Sequence, residues 1–182
     1  VCQNAMNTFI GTIMDITNNK SSDRLDSRLS YLFHLIGARF LQIGNRHFRH
    51  LGLNHYSARM LVLLMDNGEM KTGDLVSRLG LPQSTISTQL QVLNKRKLIK
   101  RKRSEKDNRS VMVELTKEGH ELAVDCNHLS QTVQDYLVDH FEEKELLKNV
   151  QFLEKINKLL GELEHQDLYE FKKNEHNNGA SD

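Results

Sequence analysis

Asp107 and Arg109 lie two residues apart in the stretch KRKRSEKDNRSVMVEL, residues 100 to 115, where positive charge is concentrated. A carboxylate so placed can hold a guanidinium in one orientation, because the planar fork pairs with it bidentately. An arginine held that way at a hairpin tip suits a narrow groove of negative potential. An ordinary surface ion pair, worth little, is the plainer alternative. Around the pair stand Lys95, Arg96, Lys97, Lys100, Arg101, Lys102, Arg103, Lys106 and Arg109, opposed only by Glu105 and Asp107. The block carries +7 in a chain whose net charge is +1, so the remaining residues sum to −6. Such a block usually faces a polyanion. It sits mid-chain and runs into an alternating apolar stretch, which argues against a disordered basic tail.

A second set of groups offers hydrogen bonds without charge. In a helix following Pro82 and running to about Lys97, Ile86, Leu90 and Leu93 form a buried stripe. At 100° per residue, Ser84, Thr88, Gln91 and Lys95 lie opposite it, with Thr85 and Ser87 on the shoulders and Gln83 at the start. Hydroxyls, amides and an ammonium can meet both phosphate oxygens and base edges.

Other chemistries are poorly served. His47 and His50 share a helical face, His55 follows, and His120 could approach from a later helix, but His47 also continues an apolar stripe. A core or interface histidine is therefore expected there, and no metal site. Cys2 and Cys126 are far apart and form no CxxC, so no disulfide framework is implied. Cys126, with no adjacent cluster of positive charge, is expected to be a small buried hydrophobe rather than a redox sensor. No Gly-rich phosphate loop, GxSxG or HExxH occurs, and Glu142-Glu143 suits a solvated helix start. Neither an enzyme nor a cofactor is expected.

The elements that must position these groups are mostly helical. One proline in 182 residues and no tryptophan favour helix. No long apolar run is present, so no membrane span is expected and a cytoplasmic protein is the economical reading. Residues 1–24 form a weakly patterned arm, in which 1–5 resemble a cloning remnant before Met6. From Leu25, the residues Leu29, Phe33, Ile36, Phe40 and Ile43 mark a first amphipathic helix within 25–53. A second helix ends at Asn67-Gly68 and a third, from about Gly73, stops at Gly80. The fourth carries the polar face described above.

Strands LIKRKRS and RSVMVEL follow, with Val111, Val113 and Leu115 inward and Met112 and Glu114 outward. Two short helices and a hairpin make a winged helix-turn-helix over residues 54–115. Thr116 is the expected N-cap of a fifth helix to about Asp139. A sixth, from about Glu142 to His165, has Leu146, Val150, Leu153, Ile156, Leu160 and Leu163 at threes and fours. Residues 116–165 are thus two further long helices, and 166–182 a flexible tail. The fold class is mostly α with a small β-wing.

The segments LVSRLGLPQSTISTQLQVLNKRKLI and KRKRSEKDNRSVMVELTKEG resemble the MarR family of winged-helix transcription regulators. The resemblance spans about Leu25 to Leu163. It includes Asp107-Asn108-Arg109 before the second wing strand and Leu115-Thr116-Lys117-Glu118-Gly119 at the following helix start. It implies a homodimer through the first, fifth and sixth helices and binding to double-stranded DNA at a pseudo-palindrome. Gln83, Ser84, Thr85, Ser87, Thr88, Gln91 and Lys95 would then read the major groove. Arg101, Arg103, Lys106, Asp107 and Arg109 would serve the wing. It also suggests a small aromatic or phenolic effector, though no residue identifies its pocket. Independently, the stripes of the first and sixth helices exceed what one winged helix can bury, so a second chain is expected to cover them. A winged helix used for non-specific nucleic-acid or protein binding is the alternative.

Overall fold

The computed structural model describes residues 25–103, 110–164 and 166–167. A short 3-10 turn, Leu25–Ser27, precedes α1 (Leu29–Phe48), and a second, Arg49–Leu51, follows it. Then come α2 (His55–Asn67), β1 (Met70–Lys71), α3 (Thr72–Leu79), α4 (Gln83–Lys95), β2 (Ile99–Arg103), β3 (Val111–Leu115), α5 (Lys117–Val138) and α6 (Glu143–Leu163). The chain divides into two units, residues 1–129 and 130–182.

In the first unit the starts of α2 and α4 have local causes. Asn54 caps α2: its side chain accepts from the Ser57 amide at 2.8 Å, and the Ser57 hydroxyl accepts from the Asn54 amide at 3.0 Å. This reciprocal pair satisfies donors that a helix start would otherwise leave bare. Pro82, in extended conformation with ψ 143°, precedes α4, where its missing amide costs nothing. Met60, Leu61, Leu64, Leu75, Ile86, Leu90, Leu93 and Val113 are fully buried, so α2, α3, α4 and the sheet close on one core. Each such side chain contributes about 1.5–3 kcal/mol of transfer free energy.

The end of α4 and the start of α5 are joined by backbone. The Leu98 amide donates to the Leu93 carbonyl and the Lys97 amide to that of Asn94, an arrangement that places Lys97 in the left-handed region at φ 59°. The Thr116 hydroxyl then donates to the Lys97 carbonyl at 2.8 Å, and the Thr116 amide to that of Leu98 at 3.0 Å. Thr116 also accepts from the Gly119 amide at 3.0 Å, as an N-cap does. A Cβ on Gly119 would overlap the Leu98 carbonyl oxygen, so only glycine allows this approach.

Three findings differ from the sequence reading. The hairpin is a three-stranded antiparallel sheet of order β1-β3-β2, with Met70 opposite Val113 and Ile99 opposite Leu115. Because β3 is central, Met112 and Glu114, on the face opposite fully buried Val113, are half-buried rather than fully exposed. Helix α4 stops at Lys95, two residues early, where the left-handed Lys97 turns the chain. His47 is exposed and is not a core residue of the single chain.

Of the α1 stripe, Leu29, Ile36 and Ile43 are exposed while Phe33 and Phe40 are half-buried. Helix α6, in the second unit, buries no residue: Val150, Leu153 and Leu160 are 44%, 51% and 56% exposed. No described helix is long and apolar enough to cross a membrane.

Candidate nucleic-acid interface

Helix α4 presents its polar face as the stripe requires. With Ile86, Leu90 and Leu93 at the core, Gln83, Ser84, Thr88, Gln91 and Lys95 are exposed, and Thr85 and Ser87 half-buried on the shoulders. The Thr88 hydroxyl donates to the Ser84 carbonyl at 3.0 Å, which leaves its oxygen lone pairs turned to accept. Val92 adds an exposed apolar group beside these polar ones.

Strand β2 supplies charge within the same unit. Lys100, Arg101, Lys102 and Arg103 are all exposed, and alternation sends neighbours to opposite faces. Lys102 is engaged locally: its ammonium lies 2.9 Å from a Glu69 carboxylate oxygen and 3.8 Å from one of Glu114. Arg101 and Arg103 share the other face. Between this strand and the helices opens a cleft of about 400 Å³, lined among others by Lys71, Thr72, Gln83, Ser87, Arg101 and Ser110. The cleft brings the first turn of α4 and the base of the wing to one polar, cationic surface. Lys106, Asp107 and Arg109 lie outside the described residues.

His47, His50 and His120 are exposed, and among the described residues no three of His, Cys, Asp and Glu gather as a metal site. Cys126 is fully buried on α5. Burial, reinforced by Asp125, pushes its thiol up to about 11, so the reactive thiolate is scarce near neutrality. His55, at the start of α2, is held below the usual histidine value, first by burial and then by Arg59. Its ring packs where a Cβ on Gly44 of α1 would be, and its Nδ1 is buried without a hydrogen-bond partner. Beside it a cleft of about 410 Å³ is lined by Phe33, His34, Gly37, Ala38, Leu41 and Tyr56, with His55 itself.

Sequence reasoning passed over the roles of two residues, Gln89 and Arg96. Gln89 sits on the inner side of α4, 9% exposed, and accepts from the Asn54 side-chain amide at 2.9 Å. Arg96, just past α4, donates to the Gly52 and Leu51 carbonyls at 2.6 and 3.0 Å. A signal existed for the first: Gln89 falls three residues after Ile86 and four before Leu93, inside the apolar stripe, where a polar side chain needs a partner.

Comparison with known proteins agrees with this geometry. Residues 51–110 match the model of the MarR family, a span that runs from the end of the 3-10 turn after α1 to the foot of β3. Over that span the chain is similar to the MarR family. The fold of this chain is shared by a crystal structure of an S. aureus MepR–DNA complex. It is 24% identical with a TM-score of 0.64, over 75% of this chain and 98% of that one. A mutant of E. coli MarR complexed with operator DNA gives 19% identity and a TM-score of 0.63, over 70% and 92% of the two chains. A curated relative, the HTH-type transcriptional regulator SarZ of Staphylococcus epidermidis, is 23% identical over 128 residues, covering 70% of this chain and 86% of that protein.

Proposed function

We propose that the chain is a homodimeric, sequence-specific DNA-binding regulator of transcription, acting as a repressor at a pseudo-palindromic operator. The observation that carries this is the exposed, carboxylate-free face of α4 beside the cationic strand β2. Helix α4 enters the major groove, where Ser84, Thr88 and Gln91 offer hydrogen bonds to base edges and Lys95 meets phosphate. Arg101 and Arg103 grip the backbone, and Arg109, oriented by Asp107, enters the minor groove.

The dimer rests on the apolar residues left exposed on α1 and α6, a surface a single soluble chain rarely keeps. Two copies of α4 related by a two-fold would read half-sites about 34 Å apart, one turn of duplex. The cleft lined by Phe33, Ala38, Leu41 and Tyr56 suits a small aromatic or phenolic effector that would release the DNA. SarZ, MepR and MarR, the relatives with a regulator's name or a bound DNA, support the same reading.

The test is selection of duplexes from a random pool by the full chain, followed by footprinting of those recovered. An inverted repeat protected on one face over two successive major grooves is expected. Recovery of no common sequence, with uniform salt-sensitive binding, would replace this reading by a non-specific nucleic-acid binder.

A further inference from the structure

The turn Leu51–Asn54 is joined by side-chain hydrogen bonds to the middle and the C-terminal end of the polar-faced helix. Asn54 Nδ2 donates to Gln89 Oε1 at 2.9 Å, near the middle of α4. Seven residues on, Arg96 Nη1 and Nη2 donate to the Gly52 and Leu51 carbonyls at 2.6 and 3.0 Å. Seven residues are close to two helical turns, so both attachments fall on one side of the helix. Gly52, at φ 66°, turns the chain without a Cβ, and the Arg96 guanidinium lies 3.4 Å from where that atom would stand.

The same turn is fixed to its neighbours by two further contacts. The His55 amide donates to Asn45 Oδ1 of α1 at 2.8 Å, and the Ser57 amide to Asn54 Oδ1 at 2.8 Å. Asn54 therefore spends one side-chain atom on the start of α2 and the other on α4. The buried stripe Ile86, Leu90 and Leu93 cannot do this work alone, because apolar packing is non-directional and permits small rotations about the helix axis. Hydrogen bonds at two heights on one side remove that freedom.

We propose that Asn54, Gln89 and Arg96 are positioning residues that set the rotation of α4, and that they act on sequence discrimination rather than on grip. This rests on the DNA-binding reading above. Base-edge hydrogen bonds tolerate little misalignment, whereas phosphate attraction tolerates much. Loosening α4 therefore weakens the chosen duplex and leaves random duplex almost untouched.

The experiment compares the full-length wild type with Asn54→Ser, Gln89→Met and Arg96→Met. Each is titrated with salt on a duplex selected by the wild type and on a scrambled one. Serine keeps the α2 cap but is too short to reach Gln89, and methionine keeps the volume of Gln89 without its acceptor. Each variant should lose about fivefold in the ratio of the two affinities, the scale of one net hydrogen bond, with an unchanged salt slope. Amides of α4 should exchange faster with deuterium.

An unchanged ratio beside a lowered melting temperature overturns the proposal and leaves the contacts merely structural. A fall in the salt slope of Arg96→Met, with both duplexes weakened alike, overturns the assignment of Arg96, which would then be a phosphate contact. If Gln89→Met does not fold, Asn54→Ser decides. Failure of the wild type to select any duplex is a different result. It sinks the DNA-reading proposal, and unchanged α4 exchange in Asn54→Ser would still overturn the positioning role by itself.

Discussion

Helices α4 and α6 are written in the same pattern and end in opposite situations. Both space apolar residues at threes and fours, yet Ile86, Leu90 and Leu93 of α4 are wholly buried while Val150, Leu153 and Leu160 of α6 are about half exposed. Periodicity shows which face of a helix avoids water, but not which surface will cover it. The winged helix completes its core within one chain, and α6 leaves its stripe to something else. A protein divided in this way should respond to the same substitution very differently in its two parts.

The largest expected effect is on association. Leu153→Asp with Leu160→Asp places two carboxylates on the α6 stripe. Sedimentation at micromolar concentration should give a 21.1 kDa monomer where the wild type is a dimer. Tight operator binding should be lost with it, because two half-sites are no longer engaged together. A wild-type chain already monomeric at that concentration would end the contrast at once.

Next comes the core of the winged helix. Leu90→Ala should destabilise it by about 2–5 kcal/mol in denaturant titration, because it opens a cavity at a fully buried position. Leu153→Ala in a chain held monomeric should cost well under half of that, since the side chain is already 51% exposed. Equal costs would mean that α6 is covered within its own chain in solution.

Within the candidate interface the same division separates grip from choice. Arg103→Ala should weaken selected and random duplexes alike, by about 1–3 kcal/mol, and lower the salt slope by about one unit per half-site. Gln91→Ala should narrow the gap between the two duplexes by about 1 kcal/mol and leave the slope alone. The reverse pattern would mean that a different face of α4 is turned to the bases.

Much of this was legible because it repeats. The stripes of α4 and α6, the glycine stop at Gly80 and the cap at Thr116 are local rules that a single chain displays in order. What escaped depends on distant partners. Strand β1 is only two residues long, too short to alternate, and exists because β3 lies beside it. Gln89 looks like an interruption of the stripe until Asn54, 35 residues earlier, is seen to reach it. The exposure of His47 could not be read from its place on a stripe that has no cover in the chain. Pairing of Asp107 with Arg109 lies outside the described residues and stands as proposed.

Two smaller effects test details of the packed part. Lysine is an unusual choice for the left-handed position at 97, so Lys97→Gly should raise stability by up to about 1 kcal/mol, offset in part by the freedom glycine gains on unfolding. The effect of pH through His55 should be smaller still. Its folded pKa lies below the ordinary 6.5, so the unfolded chain binds a proton that the folded one refuses. Its contribution is therefore level above that value and falls as pH drops from 6.5 towards the folded pKa. His55→Gln should flatten that part of the stability curve relative to wild type, and superimposable curves would show that the ring titrates normally.

The joint at Thr116 has a consequence for how such chains can vary in length. One residue holds the Lys97 and Leu98 carbonyls and the Gly119 amide, and the ladder from Ile99–Leu115 to Arg103–Val111 continues from it without a bulge. An insertion on one strand alone would slip the pairing by a residue and turn every side chain beyond it to the wrong face. Additions or losses can therefore enter only between Arg103 and Ser110, or as matched pairs across the ladder. A graft of different length or charge between Arg103 and Ser110 should leave the ladder register, and the helix beside it, unchanged.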